Sequence, residues 1–122
     1  MKTILLVDDS KTILMSMENI LKRAGFLVMT ADGGVAALAK INANLPDLMI
    51  TDLNMPGMDG ITLIKEVKKL PSMRFKPVLM LTTESQQEKK MEAKKAGAIG
   101  WLVKPVQPTE LVNVIKQVVP GA

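Results

Sequence analysis

The chain has 122 residues and a formal net charge of +4, and it contains neither cysteine nor histidine. The missing residue types exclude disulfides, thiolate or imidazole metal sites, cysteine or Ser-His-Asp catalysis and a phosphohistidine carrier. The lysines lie in pairs on predicted helices, interleaved with glutamates, which favours solvated helix faces. With only two phenylalanines and one tryptophan for base stacking, we expect no nucleic-acid partner.

The first quarter of the sequence predicts a strand, a helix and a second strand. Residues Thr3–Val7 form a short apolar run, typical of a strand that is buried on both faces. A helix follows, with Ser10 as its N-cap and Gly25 just beyond its end. Its apolar stripe consists of Ile13, Met17, Ile20, Leu21 and Ala24. The second strand is predicted over residues 27–30.

The alternation of strands and helices continues along the chain. A turn is predicted at Gly33-Gly34, helices over residues 35–41, 61–70 and 84–96 and from Pro108 onward, and strands over residues 48–51, 77–81 and 99–103. The apolar faces of the third and fifth helices contain Ile61, Ile64, Val67, Leu111, Ile115, Val118 and Val119. Five strand–helix units predict an α/β fold, a parallel sheet with helices on both faces, in a single domain over residues 1–122.

All the apolar segments are short. None approaches the roughly 20 residues that a membrane span needs, and the N-terminal run is too short for a signal sequence. We therefore expect a cytoplasmic, soluble protein with no membrane insertion.

Polar side chains follow four of the predicted strands. They are Asp8 and Asp9 after the first strand, Asp52 after the third, Thr82 and Thr83 after the fourth, and Lys104 after the fifth. Ligands of open parallel sheets bind beyond the carboxyl ends of the strands, so these groups are predicted to converge there. Each residue alone carries little information, because polar residues are common at strand ends.

The three aspartates point to a divalent cation. At about 5 Å and an effective dielectric constant near 20, each pair of carboxylates repels by roughly 3 kcal/mol. Oxygen ligands without sulfur or imidazole favour a hard ion, and a water-accessible site suits Mg²⁺. With Mg²⁺ bound, Asp52 can form an acyl phosphate. Mg²⁺, Lys104 and Thr82 can then each bind one phosphoryl oxygen.

Four motifs resemble the receiver domain of two-component response regulators, and the resemblance covers nearly the whole chain. They are Val7-Asp8-Asp9-Ser10, the segment from Thr51 to Gly60, Leu81-Thr82-Thr83-Glu84 and Val103-Lys104-Pro105. The resemblance implies the flavodoxin-like (βα)5 fold with a five-stranded parallel sheet of order 2-1-3-4-5, which flavodoxin and CheY share.

The resemblance also implies roles at the phosphorylation site. Asp52 is the expected phosphoacceptor. Mg²⁺ is expected to be bound by Asp9, Asp52 and the backbone carbonyl of Asn54, with Asp8 acting mainly through water. Lys104 is expected to contact the phosphoryl group, and the Lys104-Pro105 peptide bond is expected to be cis.

Further roles implied by the resemblance concern switching and the lifetime of the phosphorylated state. Thr82 is the expected switch hydroxyl, and Trp101 occupies the position of the switch aromatic, which is usually tyrosine or phenylalanine. Indole offers N–H in place of a phenol O–H, so hydrogen bonds of the usual tyrosine do not carry over. Thr83 is expected to shape access to the site, and Asn54 and Glu84 to tune the acyl-phosphate lifetime.

The partners implied by the resemblance are a sensor histidine kinase, of the CheA type, and a separate output protein. The whole chain is most similar to the chemotaxis regulators, in which the surface of the fourth helix, fifth strand and fifth helix binds the flagellar motor switch. Such a protein is a signalling switch rather than an enzyme, although it can catalyse its own phosphorylation and dephosphorylation.

Three alternatives stay open. Within the family, the chain could be a phosphorelay shuttle or a phosphate sink. An aspartyl-phosphate phosphatase generally needs an acid two residues after the nucleophile, where this chain has Asn54. A flavodoxin-like electron carrier would need aromatics to stack on flavin, and Asp8-Asp9 would repel the flavin phosphate.

Overall fold

Strands and helices alternate along the chain in the computed structural model, which describes residues 1–83 and 86–122. The strands are β1 (Thr3–Val7), β2 (Leu27–Ala31), β3 (Leu48–Asp52), β4 (Val78–Thr82) and β5 (Gly100–Val103). The helices are α1 (Lys11–Arg23), α2 (Gly34–Ala43), α3 (Gly60–Lys69), α4 (Gln87–Ala96) and α5 (Pro108–Val118). A 3₁₀ turn, Pro71–Met73, connects α3 to β4.

The five strands form one parallel sheet in the order β2-β1-β3-β4-β5, which confirms the predicted fold. Because all strands are parallel, their carboxyl ends lie along one edge. Val7 pairs with Thr51 between β1 and β3, and Asp52 pairs with Leu81 between β3 and β4. At the next strand, Thr82 pairs with Val103. We call this edge the carboxyl edge.

The strands separate two apolar cores, one on each face of the sheet. Leu5 and Met49 belong to the core formed with α2, α3 and α4. Ile4 and Ile50 belong to the core formed with α1 and α5. The strands are therefore apolar on both faces, as predicted for a sheet with helices on both sides.

Helix α1 has the predicted caps but a slightly different buried face. The Ser10 hydroxyl accepts a hydrogen bond from the Ile13 N–H at 3.3 Å, and Gly25 has the positive φ of 96° that favours glycine. The buried residues are Leu14, Met17 and Leu21, whereas Ile13 and Ile20 are half-buried and Ala24 is exposed. The buried face is centred closer to Leu14 than the predicted stripe, because the sheet contacts the row 14, 17 and 21.

Two helix starts differ from the prediction. Gly34 is the first residue of α2 rather than part of a turn, and Gly33 is its N-cap. Helix α4 begins at Gln87, and Gln86, which lies within the helix predicted over residues 84–96, is non-helical. The Gln86 side chain accepts hydrogen bonds from the N–H and hydroxyl of Thr83, at 3.1 and 3.0 Å. These bonds connect the residue after β4 to the residue that precedes α4.

Within the described parts of the chain, none of the helices combines the length and apolar character needed to cross a membrane.

Candidate functional site

Three aspartates meet at the carboxyl edge. Asp8 and Asp9 follow β1, and Asp52 is the last residue of β3. One carboxylate oxygen from each residue lies within 4.8 Å of the other two. Asp8 and Asp52 are only 1% and 7% exposed, whereas Asp9 is exposed. The predicted convergence is confirmed, and the cluster is open to water on the side of Asp9.

Lys104 connects the two buried carboxylates. Its Nζ lies 3.1 Å from Asp8 Oδ2 and 2.9 Å from Asp52 Oδ1. The Lys104 N–H donates to the Thr82 carbonyl at 2.7 Å, which fixes the backbone of Lys104 beside the end of β4. The Lys104-Pro105 peptide bond is cis, as the resemblance implied. The contact with Asp8 was not predicted, because strand-end positions do not show which carboxylate a lysine will reach.

The two oxygens of Asp52 have different surroundings. Oδ1 accepts the backbone N–H of Leu53 at 2.9 Å in addition to the Lys104 ammonium. Oδ2 makes no hydrogen bond or ion pair with residues 1–83 or 86–122. The carboxylate is thus fixed in orientation through one oxygen, while the other has a lone pair available.

The ionisation of the site reflects an excess of negative charge. Burial raises the pKa of Asp52, and repulsion from Asp8 raises it further. The pKa is lowered by the hydrogen bond and charge of Lys104 and by the hydrogen bond from the Leu53 N–H, but the net shift is upward. Burial lowers the pKa of Lys104, yet its hydrogen bonds and attraction to Asp52 and Asp8 outweigh burial and raise it overall. Among the residues that the structure describes, three carboxylates lie beside one ammonium, so an additional cation would relieve the repulsion.

The donor set fits Mg²⁺. All three side chains offer carboxylate oxygens, and the exposed Asp9 leaves room for the waters that Mg²⁺ retains. Asn54, whose carbonyl was predicted as a further ligand, is exposed in the loop just after Asp52. The residues present are therefore suited to a hard divalent ion.

The loop that carries Asn54 is fixed at both ends. The Leu53 N–H donates to the Leu81 carbonyl at 3.2 Å, and the Gly60 N–H donates to the Leu53 carbonyl at 2.8 Å. A Cβ on Gly60 would collide with the backbone carbonyl oxygen of Asp52. Glycine is thus required where α3 begins against β3, a role that the sequence indicated only as loop composition.

Thr82, at the end of β4, has a hydroxyl that is unpaired within the described structure. The residue is 1% exposed, and its Oγ1 has no hydrogen-bond partner among the described residues. A buried hydroxyl without a partner costs about 1–3 kcal/mol. Such a group is poised to bond a ligand atom arriving at the carboxyl edge, and a phosphoryl oxygen is suitable.

The other predicted switch and access residues lie farther out. Thr83 is exposed and bonded to Gln86. Trp101 is on β5 and is 38% exposed, with Lys90 Nζ 5.3 Å from its ring centroid. Glu84, predicted to tune the acyl-phosphate lifetime, lies outside the described residues.

Comparisons with known proteins agree with this geometry. Residues 4–116 match the family described as "Response regulator receiver domain". The chain is 41% identical over 103 residues to Chemotaxis protein CheY-3 of Vibrio cholerae, covering 84% of this chain and 79% of that protein. It is 37% identical over 116 residues to Chemotaxis protein CheY of Pseudomonas aeruginosa, covering 94% of each.

Solved structures give the same result. The structure of chemotaxis protein CheY4 of Vibrio cholerae, crystallised at low pH, superimposes with a TM-score of 0.94 and 44% sequence identity, covering 98% of this chain and 99% of that one. A response regulator from Chloroflexus aurantiacus has a TM-score of 0.92 and 41% identity, covering 96% of each chain.

Proposed function

Because this chain belongs to the family of response regulator receiver domains and is CheY-like, we propose that Asp52 accepts a phosphoryl group from a sensor histidine kinase. The observation that carries the proposal is the asymmetry of Asp52, with Oδ1 held by Leu53 N–H and Lys104 and Oδ2 unbonded among the described residues. Oδ2 forms the new bond to phosphorus, the bond from phosphorus to the donor breaks, and its electron pair leaves with the donor.

We place Mg²⁺ at the aspartate cluster. Asp9, Asp52 and the backbone carbonyl of Asn54 would hold the ion, with Asp8 acting through water. When bound, Mg²⁺ supplies positive charge that offsets the carboxylate repulsion and the charge of the incoming phosphoryl group. The close approach of the three carboxylates supports this assignment.

Lys104 and Thr82 are the proposed phosphoryl-binding side chains. The Lys104 ammonium already reaches the Asp52 carboxylate, so it can donate to an oxygen of a group attached there. The Thr82 hydroxyl has no competing partner in the described structure and can donate to a second oxygen. Thr83 would shape access, and Asn54 and Glu84 would tune the lifetime of the acyl phosphate.

The proposed output is a change of the surface formed by α4, β5 and α5. Movement of Thr82 toward the phosphoryl group would make room for Trp101 to turn inward. This surface exposes apolar side chains, including Met91 of α4 and Trp101 of β5, at 57% and 38%. Two relatives are named as chemotaxis proteins, which supports a CheA-like kinase as donor and the flagellar motor switch as cytoplasmic target.

Phosphorylation is tested by adding Mg²⁺ with acetyl phosphate or beryllofluoride and following Trp101 fluorescence. We expect a Mg²⁺-dependent change that Asp52→Asn abolishes. Asp59→Asn is the matched control in the same loop, because asparagine can still cap α3 by accepting the Thr62 N–H. An unaltered response in the Asp52 variant would contradict the assignment.

The chemotaxis target is tested separately. The beryllofluoride-activated chain is expected to bind a motor-switch peptide more tightly than the untreated chain. Equal affinities of the two forms would argue for a phosphorelay shuttle or a phosphate sink, without affecting the role of Asp52.

A further inference from the structure

Lys90 makes an unusual contact with Trp101. The Lys90 ammonium, carried by α4, lies 5.3 Å from the centroid of the Trp101 ring, within the range of a cation–π interaction. Its neighbour Lys89 forms an ion pair with Glu92 at 3.4 Å. Lys90 forms no ion pair with any residue in the described ranges, and it is half-buried. The indole is therefore the principal partner of this charge.

The sheet places Trp101 and Thr82 on the same face. Leu81 and Leu102 are register partners between β4 and β5, and both belong to the core beneath α1 and α5. Successive side chains of a strand point to opposite faces, so Thr82 and Trp101 both face the side covered by α4. The Lys90 contact thus acts on the same face as the unpaired Thr82 hydroxyl.

We propose that Lys90 is a positioning residue, which holds Trp101 in its outward position and thereby favours the resting state of the switch. This inference rests on the proposed function, because it requires that Trp101 moves inward when Asp52 is phosphorylated. The contact between Lys90 and the half-exposed ring exists only while the indole lies against α4. Inward movement breaks it.

The expected size of the effect follows from the strength of an exposed cation–π contact. Such a contact favours one of two positions by about two- to five-fold. Beryllofluoride binding is linked to the inward movement of Trp101. When the resting state predominates, a change in the equilibrium constant for inward movement changes the apparent affinity for beryllofluoride by the same factor. Removing the Lys90 charge should therefore tighten the apparent affinity for beryllofluoride by about two- to five-fold.

The test compares variants of α4 in the full chain. Lys90→Gln removes the charge and keeps a side chain of similar polarity, whereas Lys90→Arg retains a cation that can stack on the ring. Lys94→Gln is the matched control, because Lys94 is an exposed lysine of the same helix and its loss changes the net charge equally. The midpoint of a beryllofluoride titration at constant Mg²⁺ is followed by Trp101 fluorescence.

The expected pattern is a lower midpoint for Lys90→Gln and wild-type midpoints for Lys90→Arg and Lys94→Gln. Quenching of Trp101 by acrylamide, an uncharged quencher, should decrease at a lower beryllofluoride concentration in Lys90→Gln than in the wild type. If Lys90→Gln had the same midpoint and the same quenching as the wild type, the inference would be overturned. The proposed function would still stand if the wild type responded and Asp52→Asn did not. A wild type without any Mg²⁺-dependent response would overturn both the inference and the proposed function.

Discussion

Lys104 and Lys68 are partly buried lysines at opposite edges of the same sheet, and their ammonium groups have different kinds of partner. Lys104 lies between the carboxylates of Asp8 and Asp52 at the carboxyl edge. Lys68 lies at the end of α3, before β4 begins. Its Nζ donates to the backbone carbonyls of Met73, Arg74 and Lys76, at 3.3, 3.2 and 2.5 Å.

The partners determine how the two lysines ionise. Burial lowers the pKa of Lys68, and no carboxylate of residues 1–83 or 86–122 offsets this shift. Burial also lowers the pKa of Lys104, but Asp52 and Asp8 reverse the net direction. The neutral carbonyls fix the position of the Lys68 ammonium but have no negative charge that could attract a second cation. The carboxylates around Lys104 can instead interact with an additional cation as well as with the ammonium.

Lys68 also contacts the end of α4. A Cβ on Gly97, the C-cap of α4, would lie 2.8 Å from Lys68 Cγ. The aliphatic stem of Lys68 thus packs against this glycine while its ammonium binds the turn before β4. Lys68 therefore connects three segments of the fold, whereas Lys104 is the lysine for which we propose a functional role.

The largest effect is expected from Lys104→Met. Loss of the ammonium removes a proposed phosphoryl ligand, so the rate of the acetyl phosphate response should fall about tenfold or more. It also leaves two buried carboxylates without a cation, which should lower the free energy of unfolding by about 2–3 kcal/mol without Mg²⁺. The two quantities are measured by stopped-flow fluorescence of Trp101 and by urea unfolding.

Added Mg²⁺ sharpens this prediction. Because Mg²⁺ is proposed to bind the same carboxylates, it should recover part of the lost stability of Lys104→Met but not the lost rate. If the variant phosphorylated at the wild-type rate, Lys104 would have only a structural role and its difference from Lys68 would disappear.

A smaller and purely structural effect is expected from Lys68→Met. Methionine preserves the apolar stem but leaves three carbonyls without this donor, and partial exposure lets water replace it. We expect a loss of about 1–2 kcal/mol in the free energy of unfolding, with an unchanged midpoint for beryllofluoride. Lys69→Met is the matched control, because Lys69 is exposed and its one ion pair in the described part of the chain is with Glu66, at 3.4 Å. A shifted midpoint in Lys68→Met would show coupling between this edge and the proposed phosphorylation site.

The sequence predicted the residues at the carboxyl edge more accurately than those at the opposite edge. In a parallel sheet, every strand ends at the same edge, so Asp8, Asp52 and Lys104 could be brought together from strand boundaries alone. Lys68 appeared only as one of the paired helix lysines that predict a solvated face. Its contacts depend on how the turn after α3 folds back, and nothing in the local spacing shows that.

Contacts across elements were equally difficult to predict. The ring contact of Lys90 requires α4 to lie at one particular rotation over β5, and the helix is too polar for an apolar stripe to fix that rotation. The buried face of α1 was misplaced toward Ile13 for a related reason: the choice between neighbouring apolar residues is made by the sheet. Sequence periodicity predicts that a helix is present, whereas packing against the sheet determines which of its residues face the core.

The smallest effect on stability, with the opposite sign, is expected from Asp52→Asn. Burial and Asp8 raise the pKa of Asp52 in the folded chain above its unfolded value, so the ionised form is less favourable in the folded state. The contribution of Asp52 to stability is therefore fully present below the unfolded pKa and is lost as the pH rises through the folded pKa. Asparagine does not titrate, so the variant should be more stable than the wild type at neutral pH without Mg²⁺ and about equal to it near pH 3.

Urea unfolding across this pH range measures the difference. Asp47→Asn is the control at the opposite edge, where the Asp47 carboxylate accepts the Thr3 N–H at 2.8 Å and pairs with Lys76 at 3.6 Å. That substitution weakens favourable contacts, so it should lower stability slightly at neutral pH. Greater stability of the wild type than of Asp52→Asn at neutral pH would mean that Lys104 fully compensates the buried charge. The argument for an additional cation at the carboxyl edge would then lose its electrostatic basis.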